Sequence, residues 1–334
     1  MKIFLSMVIL FVSIEANEVN IYTHRHYPSD EILFKKFTGK TGIKVNVVQA
    51  NADQIMKRLE EEGRYTPADI LLTVDVGRLT YAKERGLLQP IHSKFLEEVI
   101  PINLRDRDGS WFAVTKRARV LVYNIDSVDP KSLSTYESLA NKEYKGSILT
   151  QSSSSIYNQS LLASIIAHSG RKEAKAWAGG VRSNFARKPT GSDRDQMRAL
   201  AAGIGKVAIV NTYYVGQLLN SKSFSDKAVA QMIGIFFPNQ GENERGTHIN
   251  ISGVGVTKYA KHRENAIKFI EFLCSPEAQK VFTSVNYEYP ANKNVAPSKL
   301  LQSWGSFKED SIELYKLGQY NAEAVKIFNE VGWY

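Results

Sequence analysis

The fold is decided by the stretch Gly205-Lys206-Val207-Ala208-Ile209-Val210-Asn211-Thr212-Tyr213-Tyr214-Val215-Gly216. Its apolar part, Lys206 to Val210, is typical of a short strand. Asn211 and Thr212 are residue types favoured at the start of a helix. The stretch therefore predicts a strand, a polar turn and a helix, with Tyr213 and Tyr214 in the first helical turn.

Two adjacent tyrosines at a helix start have a chemical use. Their side chains lie roughly 100° apart around the helix axis, so both phenols can lean toward one point in front of the helix end. That end carries partial positive charge, which favours phenolate over phenol. Paired phenolates suit a small, highly charged cation, and ferric iron is the obvious candidate. The alternative is that Tyr213 and Tyr214 only pack against each other.

Three places along the chain share this order of apolar strand, polar loop and helix start: residues 19–30, 146–162 and 206–219. In open α/β sheets the loops at the carboxyl ends of strands line the ligand crevice. Each of these loops carries a tyrosine at or near the helix start, and the first also carries a histidine. The residues concerned are His26, Tyr27, Tyr157, Tyr213 and Tyr214.

The donor atoms in these loops favour one kind of metal. A tyrosine pKa is near 10, so several phenolates need a strong local cation, which a bound metal supplies. Phenolate is a hard oxygen donor, and the chain has a single cysteine, Cys274, so copper(I) and iron–sulfur sites are disfavoured. Four phenolates on a trivalent ion leave one negative charge. Arg117 and Arg119 are the best candidates to offset it, unless they serve as surface charge or in structural ion pairs.

The remaining pattern indicates an α/β protein. The first 86 residues alternate strands with helices, which favours a mostly parallel sheet with helices on both faces. Residues 111–124 form an extended pattern nearly twice the usual strand length, long enough to leave one lobe and enter another. A second extended run, residues 249–256, is suited to the return. Helices are also predicted over 134–140 and over the tail, 309–331.

Composition favours an exported protein without a membrane anchor. The chain of 334 residues opens with Met1-Lys2 and an apolar run to Ile14, which is typical of a secretory signal cleaved near Ala16. No cysteine lies at that cut to carry a lipid. The formal net charge of +9 is spread along the chain and interleaved with acids, so a nucleic-acid binder is disfavoured.

Six motifs together resemble periplasmic ferric-iron-binding proteins of ABC importers, over essentially the whole mature chain. The Arg25-His26-Tyr27 loop and the four tyrosines are most similar to a branch of that family known from cyanobacteria and some proteobacteria. The motifs are Tyr22-Thr23-His24-Arg25-His26-Tyr27, Asp69-Ile70-Leu71-Leu72, Lys116-Arg117-Ala118-Arg119 with Tyr123-Asn124, Asn211-Thr212-Tyr213-Tyr214, Ser275-Pro276-Glu277-Ala278-Gln279 and Tyr287-Glu288-Tyr289-Pro290.

The resemblance implies a type II periplasmic-binding-protein fold with two mixed sheets, flanking helices and a hinge between two lobes. After a signal peptide at 1–16, the first lobe would comprise 17–113 and 239–293. The second would comprise 114–238 and 294–334, with hinges near Val114 and Pro238.

The resemblance also implies a function and a ligand set. The iron ligands would be His26, Tyr27, Tyr157, Tyr213 and Tyr214, with Arg117 as the nearby cation. The protein would be a periplasmic monomer that delivers ferric iron to an inner-membrane ABC permease with a cytoplasmic ATPase. Some relatives use a carboxylate ligand and a bound carbonate or phosphate. This chain shows no counterpart of that carboxylate, and a synergistic carbonate stays an open question.

Other functions remain as alternatives. A binding protein of the same fold could take a polyamine, or an oxyanion at Ser152–Ser155, whose hydroxyl and N–H groups precede a helix. Asp75 could reach the cleft or cap the next helix. A secreted iron enzyme would need an open coordination position, and five protein ligands leave little room for one. No hydrolase, P-loop or dinucleotide motif occurs in the sequence, so the chain is not expected to be an enzyme.

Overall fold

The structure is a computed structural model that describes residues 17–334. The predicted signal segment, residues 1–16, lies outside the described residues. The strands are β1 Glu18–Thr23, β2 Lys44–Gln49, β3 Ile70–Val74, β4 Leu88–Gln89, β5 Phe112–Asn124, β6 Ile148–Leu149, β7 Val207–Asn211, β8 Ile233–Phe236, β9 Ile249–Thr257 and β10 Tyr289–Pro290.

Helices surround these strands. They are α1 Pro28–Thr41, α2 Ala52–Glu62, α3 Val76–Glu84, α4 Lys94–Val99, α5 Ile156–Ser183, α6 Asp193–Ala201, α7 Thr212–Leu219, α8 Phe224–Gln231, α9 Arg263–Cys274, α10 Pro276–Val281, α11 Lys299–Ser303, α12 Tyr315–Gln319 and α13 Asn321–Val331. Over residues 17–334, no helix is both long and apolar enough to cross a membrane.

The strands lie in the order β2-β1-β3-β9-β5-β7-β6, with β4, β8 and β10 paired at its sides. Every residue of β3, β7 and β9 is buried, because helices cover both faces of the sheet. The β1–β2, β1–β3 and β6–β7 pairings are parallel, whereas β5 and β9 run antiparallel to all their neighbours. Strands β1, β2 and β3, whose alternation with helices suggested a mostly parallel sheet, do pair in parallel. The parallel arrangement does not extend past this alternation, which stops before β5, and the sheet as a whole is mixed, as the resemblance implies.

Strand β5 joins two groups of strands. Its first part, up to Ala118, pairs with β9 and β10, and its second part, from Arg119, pairs with β7 and β8. The long extended pattern in the sequence thus forms one strand that changes partners halfway. This change places Arg117 and Arg119 at the junction of the two groups.

The loops that matter for the site follow β1, β6 and β7. These strands end at Thr23, Leu149 and Asn211, and the helices that follow them are α1, α5 and α7. Polar residues follow each strand, Pro28 begins α1, and each helix starts within a few residues of the strand end, as the sequence predicted. The helix starts therefore lie at carboxyl ends of strands, where a ligand crevice is expected.

Two predicted helices differ from the structure. Of residues 134–140, only Glu137–Ala140 forms a helical turn, which packs on α5, and the preceding Ser134 and Tyr136 hydrogen-bond to Asn239 instead. Of the predicted tail helix, residues 309–314 are not helical, and Asp310 in that segment is completely buried against His168. Tertiary contacts override local helical pattern at both places.

Candidate functional site

Tyr213 and Tyr214 occupy the first turn of α7, as predicted. Asn211 precedes the helix with extended backbone. Tyr213 is completely buried and Tyr214 is half-buried. Their ring centroids lie 4.2 Å apart with 35° between the ring planes. Both rings therefore leave the helix start in nearly the same direction.

Tyr157 and Tyr27 join this pair from two other helix starts. Tyr157 is the second residue of α5, and its hydroxyl oxygen lies 3.1 Å from that of Tyr213. Tyr27 directly precedes α1, and its ring centroid lies 6.1 Å from that of Tyr213 in an edge-to-face arrangement. The structure thus brings together all four tyrosines that the sequence singled out. We call this group the tyrosine cluster: Tyr27, Tyr157, Tyr213 and Tyr214.

His26 lies at the outer edge of the tyrosine cluster. It is exposed, and its ring centroid lies 5.7 Å from that of Tyr27. Its Nδ1 atom lies 3.4 Å from the carbonyl oxygen of His24. The imidazole is consequently beside the phenols and open to solvent, where it can reach a ligand at the rim.

Burial governs the protonation of the cluster. Loss of solvation raises the pKa of Tyr27, Tyr213 and Tyr214 above the usual value, and repulsion from a neighbouring Tyr157 phenolate raises each further. Without a cation these three phenols are neutral at neutral pH. These three phenols become negatively charged only when a cation enters the cluster.

Arg117 and Arg119 lie directly behind Tyr157. Their guanidinium carbons are 5.4 Å and 5.7 Å from the centroid of its ring. Both arginines are buried, and each also pairs with a buried carboxylate: Arg117 with Asp75 at 3.4 Å and Arg119 with Asp193 at 2.7 Å. The structural ion pairs that the sequence left as an alternative are therefore present, and they hold the guanidinium groups beside the Tyr157 ring.

A third buried arginine was not singled out as a functional residue. The guanidinium carbon of Arg25 is 4.6 Å from the centroid of Tyr27, and Arg25 pairs with Asp30 at 3.0 Å and Glu288 at 3.3 Å. Arg25 occurs in the quoted Arg-His-Tyr loop, and Glu288 in the quoted Tyr-Glu-Tyr-Pro motif. The sequence could have flagged each as a charged residue beside a tyrosine, but not their pairing across 263 positions.

Asp75 caps α3 and also bonds to α5 and β5. Its carboxylate accepts a hydrogen bond from Gly77 N, as a helix cap does, and others from Ser160 and Arg117. The capping role that the sequence left open for Asp75 is therefore present, and the same carboxylate contacts residues that adjoin Tyr157.

The loop Ser152–Ser155, which the sequence offered as an oxyanion site, is held by hydrogen bonds within the chain. The Ser152 and Ser154 hydroxyls lie 2.7 Å apart, and the Asn158 amide donates to the carbonyls of Gln151 and Ser152. These contacts direct the loop toward its own helix. Among residues 17–334, no group of three or more His, Cys, Asp or Glu side chains is placed to hold a metal ion.

The fold and these residues agree with a known class of protein. Residues 66–307 match the family described as bacterial extracellular solute-binding protein, and the chain belongs to that family. Members of the family serve as the solute-binding components of ABC transporters, so a permease partner is the general expectation for the family.

Comparison with individual proteins shows which members of this family the chain resembles. The chain is 50% identical to Iron uptake protein A1 from Synechocystis over 319 residues, which are 96% of this chain and 88% of that protein. Its fold matches a ferric binding protein from Campylobacter jejuni with a TM-score of 0.90 and 51% identity, over 95% of this chain and all of the other.

A Trichodesmium IdiA (FutA) structure in complex with iron and citrate gives a TM-score of 0.91 and 49% identity, over 95% of this chain and 100% of that one. The resemblance to periplasmic ferric-iron-binding proteins is thereby confirmed, as is the two-lobed type II fold. These relatives are named for uptake and binding.

Proposed function

We propose that this protein binds ferric iron in the tyrosine cluster and delivers it to an ABC permease. The observation that carries the proposal is the convergence of Tyr27, Tyr157 and Tyr213 from three separate helix starts, with Tyr214 beside them. Four phenol oxygens at one place have little structural use, because buried hydroxyl groups normally bond to the main chain or to water. They form a strong site for a hard trivalent cation.

Ferric iron would be held by the four phenolates, with His26 as an additional ligand at the rim. Binding exchanges the protons of the buried phenols Tyr27, Tyr213 and Tyr214 for the metal, whose positive charge compensates the phenolates that form. Divalent ferrous iron attracts phenolates less strongly than trivalent ferric iron, so it offsets less of the free energy needed to ionise buried phenols. Ferric iron is therefore the preferred cargo. The names of the relatives, which include iron uptake and ferric binding, support this assignment.

Arg117 would stabilise the negative charge that remains when four phenolates bind one trivalent ion. Its guanidinium lies over the Tyr157 ring, and that attraction grows when the ring becomes a phenolate. Because Asp75 already pairs with Arg117, the effect is the orientation of a positive group toward the ring, with no net gain of charge. The position of Arg119 allows it to act in the same way.

Closure of the two lobes would control access to the tyrosine cluster. We place the first lobe at 17–113 and 239–293 and the second at 114–238 and 294–334, so that Tyr27 faces the other three tyrosines across the cleft. The change of partners in β5 after Ala118, a few residues past the proposed boundary, supports a crossing there. Iron bound by one lobe would draw the other lobe onto it, exclude water and strengthen each metal–oxygen bond.

Export and partners complete the proposal. The N-terminal segment would be removed near Ala16, which releases a periplasmic monomer. The closed, loaded form would dock on an inner-membrane permease that is driven by a cytoplasmic ATPase. A catalytic role is not proposed, because the metal would be enclosed by protein ligands.

The visible spectrum tests the proposal. Phenolate bound to ferric iron gives a charge-transfer band, so the protein should turn coloured on addition of one equivalent of ferric citrate. Tyr213→Phe should weaken the band, because one of the four phenolates is lost and the variant competes less well with citrate for the iron. Tyr289→Phe is a matched control, because Tyr289 is buried and its hydroxyl has no hydrogen-bond partner within residues 17–334. A colourless wild-type protein would refute iron binding through tyrosine.

The oxyanion alternative has less support. The Ser152 and Ser154 hydroxyls already bond to each other, and the Asn158 amide already donates to the carbonyls of Gln151 and Ser152. An anion at that loop would also give no visible band. Tight binding of phosphate with no colour in ferric solution would therefore favour the alternative.

A further inference from the structure

Asp75 has a backbone conformation that side chains rarely adopt. Its φ is +80° and its ψ is 123°, and it is completely buried at the end of β3. Such a conformation is strained for a residue with a side chain and persists only where surrounding contacts impose it. The contacts at Asp75 therefore indicate what the strain is used for.

The Asp75 carboxylate is a meeting point of several elements. One oxygen accepts from Gly77 N at 2.9 Å. The other accepts from Ser160 Oγ at 2.7 Å, Asn250 Nδ2 at 2.8 Å and Arg117 Nη2 at 3.4 Å. The three side-chain donors come from α5, β9 and β5. All of these groups are buried, so the bonds are shielded from water.

Ser160 connects this carboxylate to the tyrosine cluster. It lies three residues after Tyr157 on α5, so the two side chains share one side of the first helical turns. Arg117 approaches the same tyrosine from behind, with its guanidinium over the ring. Asp75 thus holds both the helix that carries Tyr157 and the cation that faces its ring.

A second contact joins the same parts of the molecule. Helix α3, which begins directly after Asp75, packs against α12 through Gly318. A Cβ atom at Gly318 would lie 2.6 Å from the Cβ of Thr80, so only glycine allows this approach. The junction of β3 and α3, which contains Asp75, is consequently in close contact with α12, a helix assigned above to the second lobe.

We propose that Asp75 and Ser160 are positioning residues for Tyr157. Their hydrogen bond crosses between the two lobes and sets the start of α5 so that the Tyr157 oxygen meets the metal together with Tyr213 and Tyr27. This inference rests on the proposed function. Neither residue is a metal ligand, because Asp75 uses both carboxylate oxygens on protein donors.

Ser160→Ala is the cleanest variant. It removes one hydroxyl from a buried helical position and leaves every charge in place. Ser164→Ala on the same helix is its matched control, because Ser164 is equally buried but bonds only to Leu161 O within the helix. Iron release into an excess of a competing chelator is followed by loss of the charge-transfer band. Thermal unfolding of the iron-free proteins reports any purely structural effect.

Ser160→Ala should release iron roughly tenfold faster than Ser164→Ala, the size expected for one hydrogen bond to a charged group. Equal release rates of the two variants would overturn the inference, whatever their unfolding temperatures. If the unmodified protein forms no coloured complex, the proposed function has failed instead. The two failures are therefore distinguishable.

Asp75→Asn separates positioning from charge balance. If Asp75 acts by positioning, the variant releases iron faster, since the amide cannot accept all of the bonds that the carboxylate accepts. If Asp75 only neutralises Arg117, the variant frees positive charge beside Tyr157 and should hold iron more tightly. Slower release from Asp75→Asn would therefore contradict a positioning role.

Discussion

Tyr136 and Tyr213 are both completely buried, yet their hydroxyl groups have opposite surroundings. The Tyr136 hydroxyl donates to the carbonyl of Arg119 and accepts from the His248 N–H. It ties β5 to the residue before β9. The Tyr213 hydroxyl meets another phenol, that of Tyr157. The first arrangement satisfies a buried group with main-chain partners, and the second leaves a place where protons can be exchanged for a cation.

A structural tyrosine and a candidate metal ligand differ in the groups that their hydroxyl oxygens contact. Burial alone does not distinguish Tyr136 from Tyr213, because burial raises the pKa of both phenols. The hydrogen-bond partners of the two hydroxyl groups distinguish them. Main-chain partners of Tyr136 remain the same whatever is bound, whereas phenol partners of Tyr213 can all ionise together around one metal. The following experiments use this difference.

Acid should have the largest effect on iron binding. Because the raised pKa of Tyr27, Tyr213 and Tyr214 keeps them protonated without iron, binding releases at least about three protons, one from each of these residues. Affinity should then fall by at least about a thousandfold for each unit that the pH decreases below neutrality. Proton release in weakly buffered solution, corrected for the ferric chelate itself, measures this number. An affinity that is unchanged between pH 7 and pH 5 would contradict tyrosinate ligation.

Tyr213→Phe should be next in size. The variant removes one phenolate ligand and should weaken iron binding on the order of a thousandfold, or about 4 kcal/mol. The stability of the iron-free protein should change little, since the lost hydroxyl contacts only other phenols. Chelator competition and thermal unfolding measure the two quantities. A destabilised protein with normal iron affinity would reverse the assignment of Tyr213.

Tyr136→Phe should show the opposite pattern. Two main-chain groups lose a buried partner, so the free energy of unfolding should fall by about 1–3 kcal/mol. Iron affinity should stay near that of the unmodified protein, because Tyr136 is outside the tyrosine cluster. Urea unfolding and the visible titration check both parts. A large loss of iron affinity in this variant would remove the distinction between the two tyrosines.

His26→Ala should have the smallest effect. The imidazole is exposed at the rim, where water screens its interaction with the metal, so we expect a loss of about tenfold or less. The visible band should keep its position, since the phenolates that produce it are unchanged. A loss as large as that of Tyr213→Phe would place His26 among the principal ligands.

Much of the candidate site could be predicted from local pattern. Tyr213 and Tyr214 follow a short apolar strand and two good capping residues, so their place in the first turn of α7 is a local property. Tyr27 and Tyr157 could be grouped with them because loops at strand ends meet at one edge of an α/β sheet.

Contacts between distant residues could not be predicted in this way. Asp75 is 85 positions from Ser160 in the chain, and Arg25 is 263 positions from Glu288. The antiparallel course of β5 and β9 was also missed, because a strand's own residues do not reveal the direction of its neighbours. The non-helical segment 309–314 shows the same limit, since burial of Asp310 against His168 overrides its helical pattern.

The sequence by itself determined which side chains stand at the strand–helix junctions, because capping and hydrophobic periodicity act over a few residues. The tertiary structure alone decided that four phenols come within contact of one another, and that Arg117 and Ser160 are held by the same carboxylate. Those relations depend on how strands pair and helices pack over long separations. The physical reason is that the ionisation of a buried phenol is set by the charges and solvent around it, which only the folded chain defines.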